Sequence, residues 1–157
     1  MSKIVNVTVL VPDATVKSMA DEIADGSVDR AIEAAIAAYK GVDSDGQIPT
    51  KPYDEDFDNA VAVAQSVANG TEGADLLVIV TDLETNDRAR AERLLDELAA
   101  SGDFVSIVTV SNQGIDTAWA KKLDDEIAGY KSVDVLDVDG LKVPAVALAE
   151  AGPWANA

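Results

Sequence analysis

Oxygen donors collect at three points where an apolar run gives way to a polar one. Asp13 follows KIVNVTVLV, Asp82 with Thr85, Asn86 and Asp87 follows ADLLVIVT, and Ser111 with Asn112 and Gly114 closes DFVSIVTVS. Carboxylate, hydroxyl and amide oxygens are hard ligands of the kind that hold Mg²⁺ or Ca²⁺. Asp13, Asp82 and Asp87 are therefore the candidate metal ligands, and Thr85, Asn86, Ser111 and Asn112 the candidate ligand contacts. The competing use is structural, since Asp13, Thr85 and Asp116 stand where helices begin and such residues cap helices. The chain has no His and no Cys. That removes the commonest general base, the usual nucleophilic triad, thiolate zinc sites and any disulfide framework. No Gly-x-Gly-x-x-Gly or Walker sequence occurs, so phosphate binding by those glycine loops is not expected.

The elements that must position these residues follow from periodicity. KIVNVTVLV is nearly uninterrupted apolar sequence, as a strand buried on both faces should be. Val16, Met19, Ala20 and Ile23 mark a first helical face closed by Gly26, and Ser27 reads as the cap of a second helix facing inward through Val28, Ile32, Ala35, Ile36 and Tyr39. Residues 41–55, GVDSDGQIPTKPYDE, read as a surface loop. A helix with Phe57, Val61, Ala64 and Val67 inward ends at Asn69-Gly70. Strand 74–82, helix 85–101, strand 103–111 and a helix over 115–130 with Trp119, Leu123 and Ile127 inward complete an alternating pattern. Such alternation predicts a three-layer α/β fold, flavodoxin-like or Rossmann-like, with a mostly parallel sheet and right-handed crossovers. All 157 residues are expected to form a single domain. In open sheets of this kind ligands settle beyond the carboxyl ends of the strands, where the nominated side chains lie.

Two resemblances bear on those ends. The strand VDVLDV running into Asp137-Val138-Asp139-Gly140 resembles the opening motif of the haloacid dehalogenase superfamily, in which the first Asp attacks phosphorus and the second shuttles a proton. The residues after Gly140 oppose it: Lys142 and Glu150 are the charged side chains that remain, and Leu141 stands where the motif has a small branched residue. Asp-Gly between two strand-like flanks is instead the signature of a type I′ hairpin, which predicts an antiparallel C-terminal edge. The second resemblance is to a response-regulator receiver, with Asp82 as phosphate acceptor and Ser111 as the hydroxyl. Asp13 stands alone where that family has an acidic pair, and Lys131 and Lys142 flank the last strand signals rather than ending one.

Charge sets the expected environment. There are 29 acidic residues against 12 basic, a net charge of −17, with Asp outnumbering Glu 20 to 9. Such a surface repels nucleic-acid phosphates and anionic membranes, so neither is an expected partner. Spread along the chain and joined to small apolar residues, the acids resemble the hydrated surface of proteins from salt-accumulating cells, where the Debye length falls to about 3 Å at 1 M salt. Lys exceeding Arg by 8 to 4 points the other way, toward an ordinary acidic protein. No apolar window is long enough to span a membrane, and the N-terminus enters a strand without a basic segment or cleavage site, so a cytoplasmic or virion location is expected. The leading expectation is a non-catalytic structural or assembly protein, a homo-oligomeric component of a larger particle such as a virion, with self-association or protein partners and no cofactor. The C-terminal VPAVALAEAGPWANA, nearly all apolar, offers Trp154 as an interface anchor. The alternative is a small Mg²⁺-dependent or ligand-binding α/β enzyme working near Asp82.

Overall fold

Continuous burial is what the strand sequences demand, and the computed structural model, which describes residues 5–41, 43, 46–70, 73–110, 116–125 and 133–137, supplies it. Strand β1 (Val5–Pro12) leads through a 3-10 turn at Lys17–Met19 into helices α1 (Ala20–Ala24) and α2 (Ser27–Tyr39), then to strand β2 (Thr50–Tyr53) and helix α3 (Phe57–Asn69). Strand β3 (Ala74–Thr81), helix α4 (Arg88–Ala100), strand β4 (Phe104–Thr109), helix α5 (Thr117–Asp125) and strand β5 (Val133–Asp137) follow. The sheet order is β2-β1-β3-β4-β5, and every described pairing is parallel. The alternating α/β pattern of the sequence is therefore real.

Both sheet faces are covered. All residues of β4, and of β3 from Asp75 onward, are buried, so successive side chains pointing to opposite faces must each meet a helix. Registered neighbours Thr50, Val9, Val78 and Ser106 share one face. Helix α2 lies on that face, because the Tyr39 hydroxyl donates to Ser106 Oγ at 2.8 Å inside the core. Right-handed crossovers put α3, α4 and α5 on the other face. Their mutual contacts agree: Gln65 Nε2 donates to Glu97 Oε2 at 2.6 Å, and Phe57 meets the Trp119 ring edge-on at 5.7 Å.

Two sequence expectations change, and a third lies outside the described residues. Residues 50–53 form an edge strand within the stretch read as loop. Its first three residues are exposed and one is a proline, so neither alternation nor propensity marks it. Ser27 is the first residue of α2 rather than its cap; the cap position is Gly26 at φ 86°, and the side chain at work there is Asp25, which accepts from the Ser27 amide at 2.9 Å. The antiparallel C-terminal hairpin lies outside the described residues, as does Trp154. Strand β5, which precedes the Asp-Gly, pairs parallel to β4 with Asp137 opposite Thr109.

The β2 edge is closed by its own sequence. Val9 donates to the Pro49 carbonyl at 3.0 Å and Asp13 to the Tyr53 carbonyl at 3.0 Å, so alternate residues turn toward β1 and Thr50 and Pro52 turn outward. At Pro52 the outward position has no N–H to offer an added strand.

The Tyr39–Ser106 bond tests the layer assignment. Tyr39→Phe is expected to lower unfolding free energy by about 1–2 kcal/mol. The double variant with Ser106→Ala should lose clearly less than the two single losses added together, as chemical denaturation would show; strict additivity would refute the contact.

Candidate functional site

The chain moves from β1 outward to β2, returns across β1 to β3, and then proceeds in one direction to β5. The reversal leaves a gap between the connections that leave β1 and β3, the place where open α/β sheets take ligands. A cleft of about 390 Å³ lies there, lined by Thr15, Lys17, Ser18, Glu55, Asp56, Glu84, Thr85 and Asn86. Three segments build it: the turn after β1, the turn between β2 and α3, and the loop between β3 and α4.

The nominated acids reach this end of the sheet, and each is engaged by its own turn. Asp13 Oδ1 accepts from the Thr15 amide at 2.8 Å and from the Thr15 hydroxyl at 2.5 Å. Asp82, buried, accepts from the Glu84 amide at 3.0 Å. Asp87 is the N-cap of α4, accepting from the Arg90 amide at 2.9 Å. Asp116 likewise accepts from the Trp119 amide at 3.1 Å at the start of α5. Thr85 and Asn86 both line the cleft, whereas Ser111 and Asn112 lie outside the described residues. Among the described residues no group of three or more His, Cys, Asp or Glu side chains is disposed to hold a metal ion.

What sequence reasoning missed is the start of α3. Asp56 occupies its cap position and Asp58 its first turn, and both reach across to the β3–α4 loop. Asp56 Oδ2 accepts from the Asn86 amide at 3.0 Å. Asp58 accepts from the Thr85 hydroxyl at 2.5 Å and from the Arg90 guanidinium at 2.6 Å, and Arg90 also donates to Asn59 Oδ1 at 2.9 Å. The Phe57 amide donates to the Glu84 carbonyl at 3.0 Å, satisfying one of the unpaired donors of the helix start. Burial, then its hydrogen bond and charge repulsion with Asp58, pushes the Asp56 carboxyl up. Asp58 is also raised by burial, but hydrogen bonds from Asp56, Thr85 and Arg90 outweigh that and hold it below the usual carboxylate range. The signal was the acid run YDEDFD before a helix, which complements the helix dipole.

Beneath the cleft, Tyr53 is fully inside and donates to the Val80 carbonyl at 2.6 Å. Burial drives its phenol far above the ordinary value, the nearby charges of Asp82, Asp13 and Asp56 add to that, and the hydrogen bond with Thr81 opposes it. Tyr53 is thus a neutral structural post. The backbone around it is strained: Glu55 has φ 63° and Leu83 φ 65°, the left-handed region that side chains avoid. The Asp56 amide donates to the Asp54 carbonyl at 2.8 Å, closing a tight turn around Glu55.

No protein-family model matches the chain, and no curated protein matches it in sequence.

The strain at Glu55 yields a test. Glu55→Gly should leave stability within about 0.5 kcal/mol, because relief of the left-handed backbone offsets the added chain entropy. Glu55→Val should cost about 1–2 kcal/mol, since a branched side chain resists this conformation. Equal thermal midpoints for the two variants would contradict the turn.

Proposed function

We propose that the chain is a non-catalytic binding domain of flavodoxin-like topology that takes a small, positively charged, hydroxyl-bearing ligand in the cleft between the β1 and β3 connections. The observation that carries this reading is the lining of the cleft. Glu55 and Glu84 outweigh the one ammonium of Lys17, while Thr15, Ser18, Thr85 and Asn86 supply hydroxyl and amide partners. Carboxylates select a cation, and the volume falls in the range typical of small-molecule sites. Catalysis is not favoured, because Asp13, Asp82 and Asp87 are committed to backbone amides that shape their turns. A magnesium-dependent reading would draw on the same acids, but their dispersal over separate turns favours an organic cation over a bare divalent ion.

The assembly role in a larger particle is a second proposal, compatible with the first. The specific observation behind it is that β2 is blunted by Pro52 against unplanned strand pairing, so self-association would proceed through a face other than the β2 edge. No described helix is long and apolar enough to cross a membrane. The proposed salt-rich setting follows from the charge of −17.

Titration with ethanolamine hydrochloride, and separately with magnesium chloride, tests the cleft, with potassium chloride at matched ionic strength as the reference. Saturable amide shifts confined to Thr15, Ser18 and residues 84–86 are expected with the amine. Shifts no different from those of potassium chloride in both titrations would remove the ligand reading. For the environment, the thermal midpoint is expected to rise as KCl goes from about 0.1 M to about 2 M, since carboxylate repulsion is screened over that range; a flat or falling midpoint would remove the salt-adapted reading.

A further inference from the structure

Two carboxylates on one helix start converge on one short loop, and the Arg90 guanidinium pairs with one of them, Asp58. Asp56 holds the Asn86 amide at 3.0 Å. Asp58 holds the Thr85 hydroxyl at 2.5 Å and Arg90 at 2.6 Å. Thr85 Oγ1 in turn accepts from the Asp87 amide at 3.2 Å, so the chain of bonds runs from the α4 cap through Thr85 to Asp58. One positive charge cannot neutralise two adjacent carboxylates. The side chain farther from Arg90 is the one that must keep a proton for the pair to stay together.

We propose that Asp56 and Asp58 form a one-proton latch that holds the β3–α4 loop against the start of α3, and so sets the position of residues 84–86 in the cleft. As regulation of the cleft, it rests on the binding role proposed above; as a property of the loop, it is testable without any ligand. In the latched state the Asp56 carboxylic acid donates its proton to an Asp58 oxygen while its other oxygen accepts from the Asn86 amide. Loss of that proton places two like charges side by side. It does so among further acids: Asp13 from the β1 turn, Asp54 and Glu55 from the β2–α3 turn, and Asp82, Glu84 and Asp87 from the β3–α4 loop. Lys17 and Arg90 oppose them, the Tyr53 phenol stays neutral, and Arg88 is occupied by Asp116 at 2.7 Å.

The direction of the pH dependence follows from the two shifts. Asp56 is raised, first by burial and then by Asp58, so its contribution is complete below the ordinary aspartate value and is lost as pH climbs through its folded value. Asp58 is depressed, burial being outweighed by its hydrogen bonds and Arg90, so its contribution is complete above the ordinary value and is lost as pH falls through its folded value. The latch is fullest between the two folded values, a window that brackets the ordinary aspartate value.

Carboxyl carbon and backbone amide shifts, followed from about pH 3 to about pH 8 at fixed ionic strength without ligand, test this. Two separated carboxyl steps are expected, one on each side of the ordinary aspartate value, with the Asn86 amide shifting at both. In Asp56→Asn the side-chain amide still donates to Asp58 and its oxygen still accepts from Asn86, so the upper step should vanish and the Asn86 signal should hold its latched position toward neutral pH. In Asp58→Asn the lower step should vanish. Should that variant fail to fold, the comparison of wild type with Asp56→Asn decides alone. Asp56 and Asp58 titrating together at the ordinary value, or an Asn86 amide that ignores both steps, would overturn the latch. Failure of the ethanolamine titration would leave these shifts unchanged, so the two proposals fall separately.

Discussion

Strand β3 is buried on both faces over seven consecutive residues, Asp75–Thr81, and most of the architecture is a consequence of that burial. A strand with no solvent-facing side must have a layer above and below, and its parallel pairing with β1 and β4 requires crossovers rather than hairpins. Right-handedness then decides which helix covers which face. Because β2 is placed beyond β1 rather than beside β3, the chain has to reverse direction once. The cleft is the space left by that reversal. Its polar lining is not an accident of surface composition: the strands beneath are apolar, so the groups that can meet a ligand come from the turns at their ends.

The central strands were legible for the same reason. KIVNVTVLV, ADLLVIVT and DFVSIVTV are long β-branched runs, and their burial is written in their composition. Strand β2 was not legible, because a four-residue edge strand with exposed Thr50, Lys51 and Pro52 carries neither alternation nor an apolar run. The described residues nominated from the sequence lie in the turns that follow β1 and β3. Thr85 and Asn86 do line the cleft, but Asp13, Asp82 and Asp87 each serve a local turn, the ordinary use of an Asp next to a helix or tight bend. Asp58 and Arg90 are 32 residues apart and Asp56 and Asn86 30, so their meeting depends on how α3 packs beside α4. Spacing rules reach a few residues along a helix, and no such rule connects the start of one helix to the loop before another.

Charge takes different forms in two parts of the molecule. Most acids of this strongly negative chain need nothing more than water and counter-ions, and their mutual repulsion is a diffuse cost that salt reduces. At the starts of α3, α4 and α5 the same residue type is ordered by specific partners. Glu92 is held below the ordinary range first by its hydrogen bond from Lys122, at 2.8 Å, and also by the Trp119 indole N–H at 3.1 Å. Asp116 is lowered first by Arg88 and then by the Trp119 amide. These pairs are largely exposed, so solvent screening leaves each a small contribution to stability. Asp58 differs, because its side chain is 8% exposed and losing Arg90 would leave a buried charge without its cation.

The identity of the cations follows from that contrast. The chain has four Arg residues, and Arg88 and Arg90 both belong to the first turn of α4. A guanidinium can divide its donors, as Arg90 does between Asp58 and Asn59, and can lie over an aromatic face, as Arg88 does 4.5 Å from the Trp119 ring while still bound to Asp116. A lysine could supply the charge but not both contacts in a fixed geometry. Through Arg90 the first turn of α4 holds the first turn of α3, and through Arg88 it holds that of α5. Phe57, the first residue of α3, closes the set by packing edge-on against Trp119. Three helix starts are thereby tied together on one side of the cleft, and the β3–α4 loop is suspended between two of them. A ligand that engages Glu84, Thr85 or Asn86 therefore pulls on a loop whose other attachments are Asp56 and Asp58. The contacts that position the loop are local hydrogen bonds to Asp56 and Asp58, so under the proposed latch a single proton or bound cation would shift the loop while leaving the buried sheet beneath unchanged.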